Sequence, residues 1–269
     1  MRVGDLDVQP LIDGTFTAPD DFFGDADLAT HPEILDPDGR LRLPIGCFLV
    51  RTGERLVLID AGVGPLHDEM FDGGHLLDAL ADVGVGTGDI DLVVCSHLHL
   101  DHCGWLIDRN AQPVFPSARL AVGADDWRYF VEDEAGFMRR SIRAGLVDVA
   151  EAGRVELLDG DTELAPGVTV IAAPGHTPGH GCVVLSSGAE RLLLLGDAVH
   201  CPIQLEESDW RVMADVDADL AARTRERLWR ELEGEGVRGT GAHFPELQFG
   251  RVLTGTGRRW WSLSAPGTP

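Results

Sequence analysis

Six consecutive residues constrain this chain more than any other part of it: His97-Leu98-His99-Leu100-Asp101-His102, which lie one residue beyond the apolar segment Asp91–Cys95. In extended backbone, residues two apart point to the same side, so His97, His99 and Asp101 converge, and a turn brings His102 round to join them. Imidazole nitrogens and carboxylate oxygens are the donors that zinc and similar divalent ions accept, at about 2.0–2.2 Å. A strand end carrying four such donors predicts a metal site.

Short runs rich in Val, Leu and Ile recur at Cys47–Val50, Leu56–Ile59, Leu92–Cys95, Val168–Ile171, Cys182–Leu185 and Leu192–Leu195. Each is bounded by Gly, Asp or Pro and reads as a buried strand. Helical patterns span roughly Gly74–Val83, Ala124–Glu134, Phe137–Leu146 and Asp217–Glu233, the last with Leu220, Leu228 and Leu232 at helical spacing. Tight Gly-containing turns join Cys47–Thr52 to Arg55–Asp60 and Cys182–Ser186 to Arg191–Leu195. These pairs are antiparallel hairpins, not the crossovers of a doubly wound parallel sheet. The fold class expected is therefore α/β, with two mixed sheets face to face and helices outside. No internal repeat and no linker-like tract interrupts the 269 residues, so a single domain over 1–269 is expected.

The net charge of −23 sets 45 acidic residues against 22 basic ones, all of them Arg. Such a surface repels phosphate backbones and argues against action on long nucleic acid. The N-terminus lacks a basic stretch followed by an apolar one, and no apolar run approaches the ~18 residues that span a bilayer. Neither a membrane nor export is expected, and the compartment reads as cytoplasmic. Five cysteines, odd in number and without a CxxC pair, indicate neither a disulfide framework nor a thiolate zinc site. Cys103 and Cys201 are read as small, partly buried residues.

Further along stand His176 in Gly175-His176-Thr177-Pro178-Gly179-His180, Asp197 in Gly196-Asp197-Ala198, and His243 in Gly241-Ala242-His243-Phe244. Each closes a strand-like run, and each alone is an ordinary loop residue. In this order, with HxHxDH before them, they resemble the motifs of the metallo-β-lactamase superfamily from about Asp7 to Arg251. The turn Asp60-Ala61-Gly62 is similar to that superfamily's Asp-x-Gly turn beneath the metals. The resemblance implies a four-layer αβ/βα sandwich and two divalent metal ions, zinc being expected. It assigns His97, His99 and His176 to one metal, Asp101, His102 and His243 to the other, and Asp197 to both. Two ions about 3.5–4 Å apart that keep open positions suit hydrolysis. Asp60 has two readings, a carboxylate that fixes the tautomer of a ligating imidazole or a plain turn former. His180 is read as a partner of neighbouring backbone, and His31, His67 and His75 are given no role.

Within the superfamily, Ser96–Trp105 resembles the acyl-homoserine lactonases and the related methyl-parathion-type hydrolases. Gly196–Gln204 and His243-Phe244-Pro245 look closer to the second group. The lactonases place a Tyr three residues after the bridging Asp, where this chain has His200. His200 reads either as a group that donates to a carbonyl or protonates a leaving alkoxide, or as pocket wall. The run Thr15–Gly24, with three Phe, looks like a long loop and not a strand. Phe22, Phe23 and Trp105 are expected to touch substrate, whereas Trp127, Phe130, Phe137 and Met138 are read as core.

The expected reaction is hydrolysis of a lactone or carboxylic ester by a metal-bridging hydroxide, with Asp101 and His200 as catalytic groups. The expected partner is a small, neutral molecule with apolar parts, and a homodimer is compatible with the sequence. Two alternatives stay open: a phosphotriester hydrolase at the same site, and an iron-dependent redox enzyme of the same fold.

Overall fold

The computed structural model of the chain describes residues 1–263. The first sheet takes β1 (Arg2–Val3), β2 (Leu6–Thr17), β3 (Arg42–Thr52), β4 (Arg55–Ile59), β5 (Phe71–Asp72), β6 (Leu92–Val94), β7 (Arg119–Gly123) and β8 (Val155–Leu158). Their spatial order is β1-β2-β3-β4-β6-β7-β8, with β5 pairing Thr15 and Phe16 of β2. The β3–β4 hairpin is antiparallel, and β4, β6, β7 and β8 then run parallel. The second sheet takes β9 (Thr162–Ala165), β10 (Val168–Ala172), β11 (Gly181–Ser187), β12 (Glu190–Leu194), β13 (Val237–Thr240), β14 (Gly250–Gly255) and β15 (Arg258–Leu263) in reverse sequential order. Only its β12–β13 pair is parallel among the described residues. Both sheets are thus mixed, as expected.

Alternation along the strands builds the layers. In β3, Cys47 and Leu49 join one apolar cluster with helices α1 (Leu76–Asp82) and α4 (Arg140–Glu151), whereas Phe48 and Val50 join another between the sheets. In β12, Leu192 and Leu194 face that same inner cluster, while Leu193 turns outward to Leu228, Trp229 and Leu232 of α6 (Ala218–Leu232). The order of layers is therefore helices, sheet, sheet, helix. Among the described residues no helix is long and apolar enough to cross a membrane.

The parallel pairs place the chemistry. Because β4 lies parallel to β6, Asp60 and Ser96–His97 emerge side by side. Because β12 lies parallel to β13, Asp197 and His243 do the same from the other sheet. The antiparallel steps β10–β11 and β11–β12 return the end of β10, and with it His176, to this rim.

Three expectations are corrected here. Thr15–Thr17 close β2 and are not loop, because they pair with β3 on one side and Phe16 stacks on Phe71 of β5 at 5.3 Å. The helix expected at Phe137–Leu146 is α4, Arg140–Glu151, since Ala135 and Gly136 donate back to the Tyr129 carbonyl and hold the chain out of helix until Arg139. The pattern Ala124–Glu134 is a short turn of α-helix, α3 (Ala124–Asp126), that widens into a π-helical turn over Trp127–Glu132. Such wide turns gather at functional sites.

Candidate metal centre

After β6 the chain stays extended through His99, whose φ/ψ of −67°/156° caps the single helical turn α2 (Leu100–Cys103). Extension puts His97 and His99 on one side, and the turn swings Asp101 and His102 beneath them. His99 Nδ1 lies 3.0 Å from His97 Nε2 and 2.9 Å from His176 Nε2. On the other flank, Asp101 Oδ2 lies 3.4 Å from His243 Nε2 and 3.9 Å from His102 Nε2. Asp197 stands between the two groups. Its Oδ2 is 3.8 Å from His97, 3.5 Å from His176 and 3.3 Å from His243, and its Oδ1 is 3.2 Å from His102.

The surrounding acceptors decide which ring nitrogens face inward. Asp60 Oδ2 takes His102 Nδ1–H at 2.9 Å, Asp215 Oδ1 takes His176 Nδ1–H at 3.0 Å, and the Pro44 carbonyl takes His243 Nδ1–H at 2.7 Å. Ser96 Oγ donates to Asp60 at 2.8 Å, so its oxygen is free to accept from His97 Nδ1 at 3.1 Å. Each of these four rings thereby turns its Nε2 toward Asp197, free to act as a donor atom once any proton on it has left. Asp60 reaches its partners because its backbone turns into the left-handed region at φ 60°. Buried lone pairs and carboxylate oxygens packed against one another repel unless a cation lies among them. Consistent with that, His102 Nε2 and Asp197 Oδ1 are buried with no hydrogen-bond partner. Two trios, His97/His99/His176 and Asp101/His102/His243, each bring their donor atoms within 4.8 Å of one another. The residues present therefore fit two divalent cations, with Asp197 between the two groups of donors.

The electrostatics of the protein alone point the same way. Burial pushes His97 well below its ordinary value and His99 down to about 3. Burial opposes charge on His102 and His243 too, yet Asp197 with its neighbouring carboxylates holds His102 well above the ordinary value and His243 up at about 10. Asp101, despite burial, is drawn to about 2 by His102 and His243. Without cations, protons on these two rings supply the positive charge that the carboxylates require.

His200 is also drawn in. Its Nε2 lies 3.1 Å from Asp197 Oδ2, its ring stacks parallel to that of His243 at 5.7 Å, and its buried Nδ1 has no partner. Burial lowers its pKa, so the ring is neutral. His180 Nε2 accepts the Asp197 backbone N–H at 3.0 Å, fixing the turn from behind. The Cys103 and Cys201 thiols are buried, and burial pushes Cys201 up to about 12.

A cavity of about 500 Å³ opens over these groups, with His99, Asp101, His176, Asp197, His200 and His243 on its floor. Phe16, Phe22, Phe71, Leu100, Tyr129 and Phe130 wall it, and Met70, Phe137 and Met213 form its rim. Phe137 is 77% exposed and Met213 59%, which places them at the mouth. A wider, open groove on the outer face of α6 contains none of these donors and is lined by Arg and Glu in mutual ion pairs.

Two of the expected substrate contacts are displaced. Trp105 is not on the cavity: its indole N–H donates to Asp13 Oδ1 at 2.8 Å beneath the metal motif. Phe23 lies behind the wall, packed between Phe22 and Trp210. Only Phe22 of the three lines the cavity, its ring meeting that of His200 edge-on at 5.2 Å. Phe137 faces the cavity, whereas Trp127, Met138 and Phe130 are core, as expected, Phe130 also lining the cavity wall.

Sequence reasoning passed over three buried carboxylates. Asp13 accepts from the Val63, Gly64 and Leu76 amides as well as from Trp105. Asp126 ties the two histidine loops together, accepting from Leu98 at 3.1 Å, Thr177 at 2.9 Å and Gly179 at 2.6 Å. Asp215 holds His176. Each is one Asp among many in an acidic chain, and only its burial sets it apart. Tyr129, which lies far from His200 in sequence, was also missed, and the wide turn over Trp127–Glu132 brings it to the wall.

A family model described as the metallo-beta-lactamase superfamily matches residues 41–233. An N-acyl homoserine lactonase of Bacillus cereus is 27% identical over 212 residues, 72% of this chain and 78% of that protein. The solved structure of AidC, described as a dizinc quorum-quenching lactonase in complex with a product, aligns at a TM-score of 0.84 and 25% identity over 100% of this chain and 97% of its own. The hydrolase AbOPH aligns at a TM-score of 0.85 over 100% and 97%, and at 23% identity it speaks for the fold alone.

Proposed function

The chain belongs to the metallo-beta-lactamase superfamily, and from that premise we propose that it is a metal-dependent hydrolase that opens a lactone or cleaves a carboxylic ester. The observation that carries this is Asp197 standing between two donor trios on the floor of an apolar cavity. In this reading His97, His99 and His176 would hold one cation and Asp101, His102 and His243 the other, with Asp197 available to both. When bound, two such ions, zinc here, supply a water acidified to the neutral range and a Lewis acid for the carbonyl.

The chain's own residues do the rest. Asp60, Ser96 and the Pro44 carbonyl keep the ring tautomers fixed, so no reorientation is needed when substrate arrives. Asp101, ionised at neutral pH, accepts a hydrogen bond from the attacking water and orients it. His200, neutral and on the cavity floor, donates an imidazole N–H to the carbonyl or to the departing alkoxide. Phe22, Phe71 and Tyr129 exclude water and take an apolar arm.

The similar proteins named N-acyl homoserine lactonases support a lactone with such an arm. A net charge of −23 disfavours anionic substrates and nucleic acid. The proposal takes 1–269 as one domain because both sheets supply donors, places the protein in the cytoplasm, and allows a homodimer. A second reading, phosphotriester hydrolysis, is favoured by one observation: His200 stands where the lactonases have Tyr.

The test is a panel of N-acyl homoserine lactones, aryl esters and phosphotriesters assayed with zinc-loaded protein. Lactones or esters are expected to lead in kcat/KM. A phosphotriester turned over about tenfold better would transfer the assignment. Metal analysis of the purified protein that finds two irons, together with oxygen uptake, would replace hydrolysis by redox chemistry.

A further inference from the structure

We infer that Asp215 and Arg225 form a positioning pair that sets how firmly His176 and the Asp197 turn hold their cation. The inference rests on the proposed reading of His176 as a metal ligand.

Asp215 lies outside every motif, in the segment between α5 (Ile203–Glu206) and α6, and its side chain is fully buried. Its Oδ1 accepts His176 Nδ1–H at 3.0 Å, and its Oδ2 lies 3.4 Å from Arg225 Nη1. An imidazole that donates to a carboxylate is locked in ring orientation and made a stronger base at its other nitrogen. Arg225 sets its cation against that carboxylate, with both side chains buried. The same Nη1 lies 3.4 Å from the Ala198 carbonyl, one residue beyond Asp197. One guanidinium thus bridges the partner of His176 and the turn that presents Asp197.

The backbone around the pair is fastened to the same loop. Val216 N–H donates to the His176 carbonyl at 3.0 Å and Asp217 N–H to that of Gly175 at 2.9 Å. Thr224, next to Arg225 on α6, donates to the Pro174 carbonyl at 2.6 Å. Gly175 has φ 134°, and a Cβ there would strike the Ala221 backbone, so the loop lies directly on the first turns of α6. Helix α6 therefore helps to support two donors that follow different strands, His176 after β10 and Asp197 after β12.

Zinc titration of metal-free protein against a competing chelator tests this, on wild type, Asp215→Asn, Arg225→Met and His176→Ala. Asp215→Asn keeps the shape but cannot stay anionic, and it is expected to weaken one of the two zinc equivalents by about 10–100-fold while sparing the other. Arg225→Met is expected to weaken the same equivalent by a smaller factor. On the preferred ester at limiting zinc, kcat of Asp215→Asn falls with KM changed by less than about threefold. The thermal midpoint of the metal-free proteins separates this from a folding defect, which would lower that midpoint and leave the two zinc equivalents alike. Both zincs bound by Asp215→Asn within about twofold of wild type would overturn the inference, as would a wild-type profile for Arg225→Met. If His176→Ala also binds two zincs as wild type does, the ligand reading itself fails. If His176→Ala loses one and Asp215→Asn does not, only the positioning pair fails.

Discussion

Zinc entering the metal-free protein has to displace protons, because a ligating imidazole must present a lone pair where His243 carries a hydrogen. Asp197 and Asp101 hold that ring at about 10 against the effect of burial, so it is protonated at pH 7 and competes with the metal. The sign follows: apparent zinc affinity falls as pH is lowered, by up to about tenfold per pH unit for each proton exchanged. Calorimetric titration in two buffers of different ionisation enthalpy would detect the release, and an equal heat in both would contradict the charge arrangement described. Trp105 gives a second prediction at this scale. Trp105→Phe removes one of four donors to buried Asp13, and is expected to cost about 1–3 kcal/mol of stability in denaturant with KM unchanged. A several-fold change in KM without loss of stability would return Trp105 to the substrate pocket.

Among the elements, α6 is the one whose local signals and functional load coincide. Asp217 caps it, accepting the Leu220 N–H at 2.8 Å, and Leu228 and Leu232 bury its inner face against the second sheet. Asp217→Ala is expected to cost about 1 kcal/mol, read as a shift in denaturation midpoint. Such signals made the helix legible beforehand, along with both hairpins, whose apolar runs are continuous because both faces are covered. Strand β2 was not legible. Its sequence places Gln9, Pro10, Asp13 and Gly14 among the apolar residues, and Asp13 is accommodated only because distant amides converge on it. The hairpin β14–β15, with Gly, Thr and Arg along it, lies at the sheet edge and carries a weak apolar pattern for the same reason. At the site, the seven proposed ligands stood out by residue type and order. Asp126 and Asp215 did not, since what marks a supporting carboxylate is its burial and its partners, which local sequence does not encode. Phe23 and Trp105 failed for a related reason: an aromatic in a loop near the motif faces whichever side packing leaves to it.

Across the whole molecule, the proposed donors are divided between the sheets, with His97, His99, Asp101 and His102 from the first and His176, Asp197 and His243 from the second. The cations would therefore reinforce a rim where the two layers are already joined by hydrogen bonds through Asp126 and between His243 and the Pro44 carbonyl. Chelation is expected to lower the thermal midpoint, and restored zinc to raise it in a concentration-dependent way, since a ligand that binds only the folded state stabilises it by mass action. An unchanged midpoint after verified metal removal would count against a site that bridges the sheets. The division also bears on how the protein is made. Residues of the first cluster leave the ribosome long before β13 delivers His243, so a nascent chain can form its first sheet and the proposed trio His97, His99 and His176 but lacks the second trio until His243 has been synthesised. A product cut short before β13 would lack the proposed second trio however well its first sheet folds.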